Sequence, residues 1–148
     1  LLVSSVHLLQ AQSGKEEVEF IQSVFGMEKR AIVADFIDLD GDAADAFWTA
    51  YEEYETGRKA LGQGRIQLLK DYADNYDGLT DDKIKELAMA SAKQRSSRDK
   101  LMLKTFKKMS KTAGVKAAGQ FYQIERYFES IIQAQILESI PFIGELDD

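Results

Sequence analysis

Cysteine is absent from the 148 residues, and histidine and proline occur once each, as His7 and Pro141. Without cysteine there is no disulfide framework, no thiolate zinc site and no cysteine nucleophile. A single histidine argues against a multi-histidine metal centre or a serine–histidine triad. Long apolar runs are missing too. Nothing approaches the ~18 consecutive apolar residues of a membrane span, so no integral span is expected. Period-two alternation bounded by turns is not found either, which removes the usual signature of strands.

What remains is helical. The chain is 45% hydrophobic and 30% charged, enough apolar content for one packed domain and no more. Val18, Ile21, Val24, Phe25, Ile32, Val33 and Phe36 recur at steps of three and four and predict a first helix over 15–38. The turn Asp38-Leu39-Asp40-Gly41-Asp42 ends it, with Asp42 placed to cap the next helix. A second helix is predicted over 43–76, with Phe47, Tyr51, Tyr54, Leu61, Leu68 and Tyr72 on a heptad-like seam. Arg58 and Arg65 fall on that same seam. Thr80 caps a third helix over 81–110, and a fourth runs over 115–139 before Pro141. The third helix is nearly devoid of large apolar groups from Ser91 to Asp99.

Short turns at Gly41, Gly78 and Gly114 make neighbouring helices antiparallel. The expected fold is therefore all-α: an elongated antiparallel bundle of about four helices with long hairpins. Its seam is expected to include Tyr51, Leu61, Leu68, Phe106, Phe121 and Phe128. Residues 15–148 form one helical domain in this reading. The mostly apolar residues 1–14 read either as a secretory leader remnant or as an N-terminal arm packed on the body.

Motifs that could carry chemistry fail on inspection. Asp38-x-Asp40-x-Asp42 suggests a calcium loop, but the sixth and twelfth positions are Ala43 and Thr49 instead of glycine and glutamate. Glu52, Glu53 and Glu55 with Glu125 and Glu129 suggest a carboxylate metal cluster, yet no Glu-x-x-His accompanies them. Gly62-Gln63-Gly64-Arg65 lies within a helical pattern and follows no strand, so it is no phosphate loop. Gly57, Gly62 and Gly64 are better read as sites of close helix approach or bending. No catalytic, cofactor or metal site is assigned, and the chain is expected to be no enzyme. Arg58 and Arg65 require carboxylate partners if buried, and Glu86, Glu125 and Glu129 are the candidates.

Charge is distributed in blocks. The net charge is −6. Residues 15–55 hold twelve acids against Lys15, Lys29 and Arg30, whereas residues 93–116 hold nine bases against Asp99 alone. Lys100, Lys104, Lys107, Lys108 and Lys111 fall along one helical face and are the candidate partner-binding residues. Such a stripe faces water or an acidic surface: a protein client, an anionic head group or the acidic half of a second copy, as in a dimer. The overall acidity and the scarcity of interleaved aromatics exclude a nucleic-acid role.

Several segments together resemble a known group. Phe47-Trp48, Tyr51-Glu52, Leu68-Leu69-Lys70-Asp71-Tyr72-Ala73, Ala117-Ala118-Gly119-Gln120-Phe121-Tyr122-Gln123-Ile124-Glu125 and Ile140-Pro141 look like small secreted helical bacterial proteins with no assigned biochemical role. The likeness covers about residues 43–143. That group is distantly similar to the Spy/CpxP-like periplasmic stress proteins and their Leu-Thr-x-x-Gln motifs. Leu79-Thr80-Asp81-Asp82-Lys83 is the nearest match here, with lysine in the glutamine position. The resemblance implies a periplasmic or secreted location and a chaperone-like binding protein. The alternative is a structural or regulatory partner in an envelope stress or signalling system, acting through helix–helix association.

Overall fold

A computed structural model describes residues 28–147. Among them are four α-helices and no strand: α1 Lys29–Phe36, α2 Gly41–Asn75, α3 Asp81–Thr112 and α4 Val115–Ser139. A single 3-10 turn, Tyr76–Gly78, joins α2 to α3. The upstream part of the predicted first helix, 15–27, lies outside the described residues, as do the apolar residues 1–14.

Boundary chemistry departs from the sequence reading at two points. Glu28, inside the helix predicted over 15–38, has extended backbone (φ −65, ψ 143) and stands at the N-cap of α1, which ends at Phe36, so the predicted helix is interrupted there. Asp40 stands at the N-cap of α2 and Asp42 lies inside its first turn, because the helix already starts at Gly41. There Asp42 still favours the positive end of the helix dipole. The Thr80 hydroxyl accepts the Lys83 N–H at 3.2 Å, as an N-cap should, and Asp81 and Asp82 follow in the first turn. At the α3–α4 turn, Gly114 has φ +107 and ψ 151, a backbone region that essentially only glycine occupies.

With 35 and 32 residues, α2 and α3 each extend roughly 50 Å at ~1.5 Å per residue. They form an antiparallel hairpin. Moving along α2 from Glu53 through Gly57 and Gly64 to Asp71, the facing residues on α3 run backwards through Lys108, Leu101, Gln94 and Lys83. The α3–α4 pair is antiparallel as well, with Phe106 against Tyr122 and Asp99 against Arg126. α2 packs along α3 and α3 along α4, while α2 and α4 are bridged mainly by long side chains.

Those side chains are aromatic at one end. The Tyr54 and Phe121 rings meet edge to face at 5.0 Å, and Tyr51 meets Phe121 in the same way at 6.3 Å. Phe47, Phe121, Phe128, Met102 and Met109 are fully buried. Of the expected seam, Tyr51, Phe121 and Phe128 are buried, whereas Leu61, Leu68 and Phe106 are half-buried. The heptad reading set the correct face but not the depth. Gly57 and Gly64 mark close approaches, since a Cβ at Gly57 would lie 3.1 Å from Leu101 and one at Gly64 would run into the Gln94 amide; Gly62 does not, with open space where its Cβ would be.

Downstream of α4 the tail folds back onto α2. Tyr72 donates its hydroxyl to the Pro141 carbonyl at 2.7 Å, and Tyr76 donates to the Phe142 carbonyl at 2.8 Å.

Candidate functional site

Among the described residues, two buried ionic clusters sit on the central seam. In the first, Lys29 on α1 reaches between α2 and α4, with its Nζ 2.5 Å from Glu55 and 2.9 Å from Glu125. The ammonium also lies 5.5 Å from the ring centres of Tyr51 and Tyr54 and 5.7 Å from Phe128, so aromatic faces complete its surroundings. Arg58 donates to Glu55 from the same helix, Nε and Nη2 each at 3.0 Å. Burial pushes the Glu55 carboxyl up, but the Lys29 charge and the Arg58 hydrogen bond and charge together outweigh it and bring it down to about 2. Glu125 moves the other way: full burial and the nearby Glu55 charge raise it, and Lys29 offsets only part of this. Burial, and then Glu125, also push the Tyr51 and Tyr54 hydroxyls upward.

The second cluster lies further along the bundle. Arg65 on α2 and Arg98 on α3 both reach Glu129 on α4, Arg98 at 3.3 Å. This joins three helices through one carboxylate. The two seam arginines thus have the acidic partners that burial demands, but of the expected carboxylates only Glu129 serves an arginine here. Glu125 goes to Lys29, and Glu86 pairs with Lys83 at 3.3 Å. Sequence reasoning missed Lys29 as a core residue, counting it as a base within an acidic block. The available signal was its spacing: Lys29 stands three and four residues before Ile32 and Val33, on the same helical face.

The five lysines singled out for partner binding are all exposed on α3. Lys108 pairs with Glu53 at 2.6 Å, a direct contact between the basic block and the acidic one. Arg98, from the same basic block, is buried instead. Lys100 lines an open groove of 670 Å³ between α3 and α4, with Arg95, Asp99, Leu103, Tyr122 and Arg126. Leu103 and Tyr122 are exposed there, and Arg126 holds Asp99 at 2.7 Å. A second groove of 470 Å³ adjoins it and reaches in towards Arg65. Its origin is local sequence: across the Ser91–Asp99 stretch α3 offers serine, glutamine and arginine where the other helices present large apolar groups.

Among the described residues no three of His, Cys, Asp and Glu converge as metal ligands, and no helix is long and apolar enough to cross a membrane. The groove chemistry is recognition by charge and shape: guanidinium and ammonium donors beside apolar side chains. Comparison with known protein families, curated proteins and solved structures gives no match.

Proposed function

We propose that this chain is a non-catalytic helical binding protein of the bacterial envelope, periplasmic or secreted and chaperone-like, that holds acidic, partly apolar segments of protein clients. The observation that carries this reading is the open α3–α4 groove, where Leu103 and Tyr122 lie next to Arg95, Lys100 and Arg126. Cationic and apolar groups side by side suit a chain segment that is itself both acidic and apolar. The lysine stripe continues the positive surface beyond the groove. The location rests on the resemblance to small secreted helical bacterial proteins.

A client aggregation assay tests it. An acidic client unfolded by heat or reduction should scatter less light with a stoichiometric amount of this protein present. The protection should weaken as salt shortens the screening length below ~8 Å. Unchanged aggregation for acidic and basic clients alike would overturn the proposal.

The second reading, a structural or regulatory partner working through helix–helix association, draws on exposed Phe142, Ile143 and Leu146 beside the end of α4. A concentration-dependent dimer by sedimentation, lost in Phe142→Ser/Ile143→Ser, would favour it.

A further inference from the structure

The second groove shares Arg95, Asp99 and Arg126 with the first and adds a polarity of its own, charged at one end and apolar at the other. At one end Arg65, Arg95, Arg98 and Arg126 surround it, with Glu129 and Asp99 as the carboxylates. Among the described lining residues, four guanidinium groups and two carboxylates gather at that end. Arg95 has no ion-pair partner among the described residues and is exposed, so it is available to a new anion. Near it the Gln94 Oε1 is buried without a hydrogen-bond partner.

Towards the other end the lining changes character. About one turn along, α2 contributes Leu68 and Leu69; about two turns along, α4 contributes Ile136 and Leu137, and Ile140 follows just past its end. From Glu129 to Ile140 is eleven residues, roughly 16 Å of helix, about the reach of a medium-length alkyl chain. The Tyr72 hydrogen bond to Pro141 fixes the chain immediately after Ile140 and so defines that end. A volume of 470 Å³ falls in the range of small-molecule sites, about 300–1,000 Å³, and is too small for a two-chain lipid.

We infer that this three-helix groove is a binding site for a single-chain fatty carboxylate. The carboxylate head lies at Arg95 and Arg126, where the planar fork of a guanidinium matches it, and the alkyl tail runs between Leu68, Leu69 and Leu137. Head and tail are both required. A short anion forgoes the apolar end, and a cationic amphiphile meets an arginine cluster of its own sign.

Titration calorimetry with laurate below its micelle concentration tests the site, with butyrate and dodecyltrimethylammonium as head-only and wrong-charge probes. Laurate should saturate at one per chain and bind at least threefold tighter than either control. Arg95→Gln should weaken it by at least threefold. Ser91→Phe, at an exposed position on the groove wall, should abolish binding while leaving the thermal unfolding curve in place. The inference is overturned by absence of saturable binding, by less than threefold preference over either control, or by parental affinity in both variants.

Discussion

Lys29 and Glu125 are 96 residues apart in sequence and 2.9 Å apart in the core, and Glu55 completes the bridge at 2.5 Å. One ammonium therefore serves two carboxylates from two different helices. This explains why the two acids shift in opposite directions: Glu55 has Arg58 as a second cation beside Lys29, while Glu125 is the more deeply buried of the two. The arrangement ties a helix of only eight residues to the long hairpins.

Removing the shared cation should be costly. Lys29→Met leaves two buried carboxylates without it and is expected to destabilise the fold by about 3–5 kcal/mol. Glu125→Gln leaves Lys29 paired with Glu55 and removes an acid whose ionised form is already disfavoured, so its cost should be smaller. Urea denaturation of both variants checks the order. Equal losses would mean that Glu125, and not Glu55, is the principal partner.

The opposite shifts make stability depend on pH in two limbs. Glu55 has a lowered folded-state value near 2, so its stabilisation is complete above the ordinary value of 4.5 and is lost as pH falls towards 2. Glu125 has a raised value, so its ionisation opposes folding at higher pH and that penalty is relieved as pH falls towards 4.5. Stability should rise from neutral pH into mild acid and then decline below about 4.5. In urea midpoints measured across this range, Glu125→Gln should flatten the upper limb and Glu55→Gln the lower one. An upper limb unchanged in Glu125→Gln would show that the rise comes from other groups.

Two glycines five residues apart should respond with opposite signs. Gly114 holds φ +107 at the α3–α4 turn, and Gly114→Ala should destabilise by about 1–3 kcal/mol. Gly119 lies within α4 with open space where a Cβ would be, and Gly119→Ala should stabilise by about 0.5–1 kcal/mol. Thermal melts of the two variants check both signs. A stabilising Gly114→Ala would refute the turn geometry.

Reversal of the lysine stripe addresses the proposed client binding. Lys104→Glu, Lys107→Glu, Lys108→Glu and Lys111→Glu together should weaken protection of an acidic client at low salt by tenfold or more in effective concentration, roughly 1.4 kcal/mol. The lost Lys108–Glu53 pair is solvent-exposed and contributes under about 1 kcal/mol to stability, so the fold should survive. Protection equal to that of the parent chain would identify the stripe as a solvated face.

Much of the architecture is local and was legible in one dimension. The steps of three and four, the Thr80 cap and the turns at Gly41, Gly78 and Gly114 depend on neighbours within a few residues. The α4 boundaries accordingly agree with expectation, and α2 and α3 shift by about two residues at one end or the other, whereas the helix expected over 15–38 is interrupted at Glu28. The buried place of Arg58 and Arg65 was legible for the same reason, since helical phase is a local property. Which carboxylate each cation meets was not. That choice depends on how far α2 and α4 are held apart and on the register of antiparallel helices, both set by packing across the bundle. The same packing brings Lys29 inside and leaves Leu61, Leu68 and Phe106 half-exposed. It also turns the apolar-poor run from Ser91 to Asp99 into a groove: a missing side chain becomes a cavity only when neighbouring helices are too rigid to close over it.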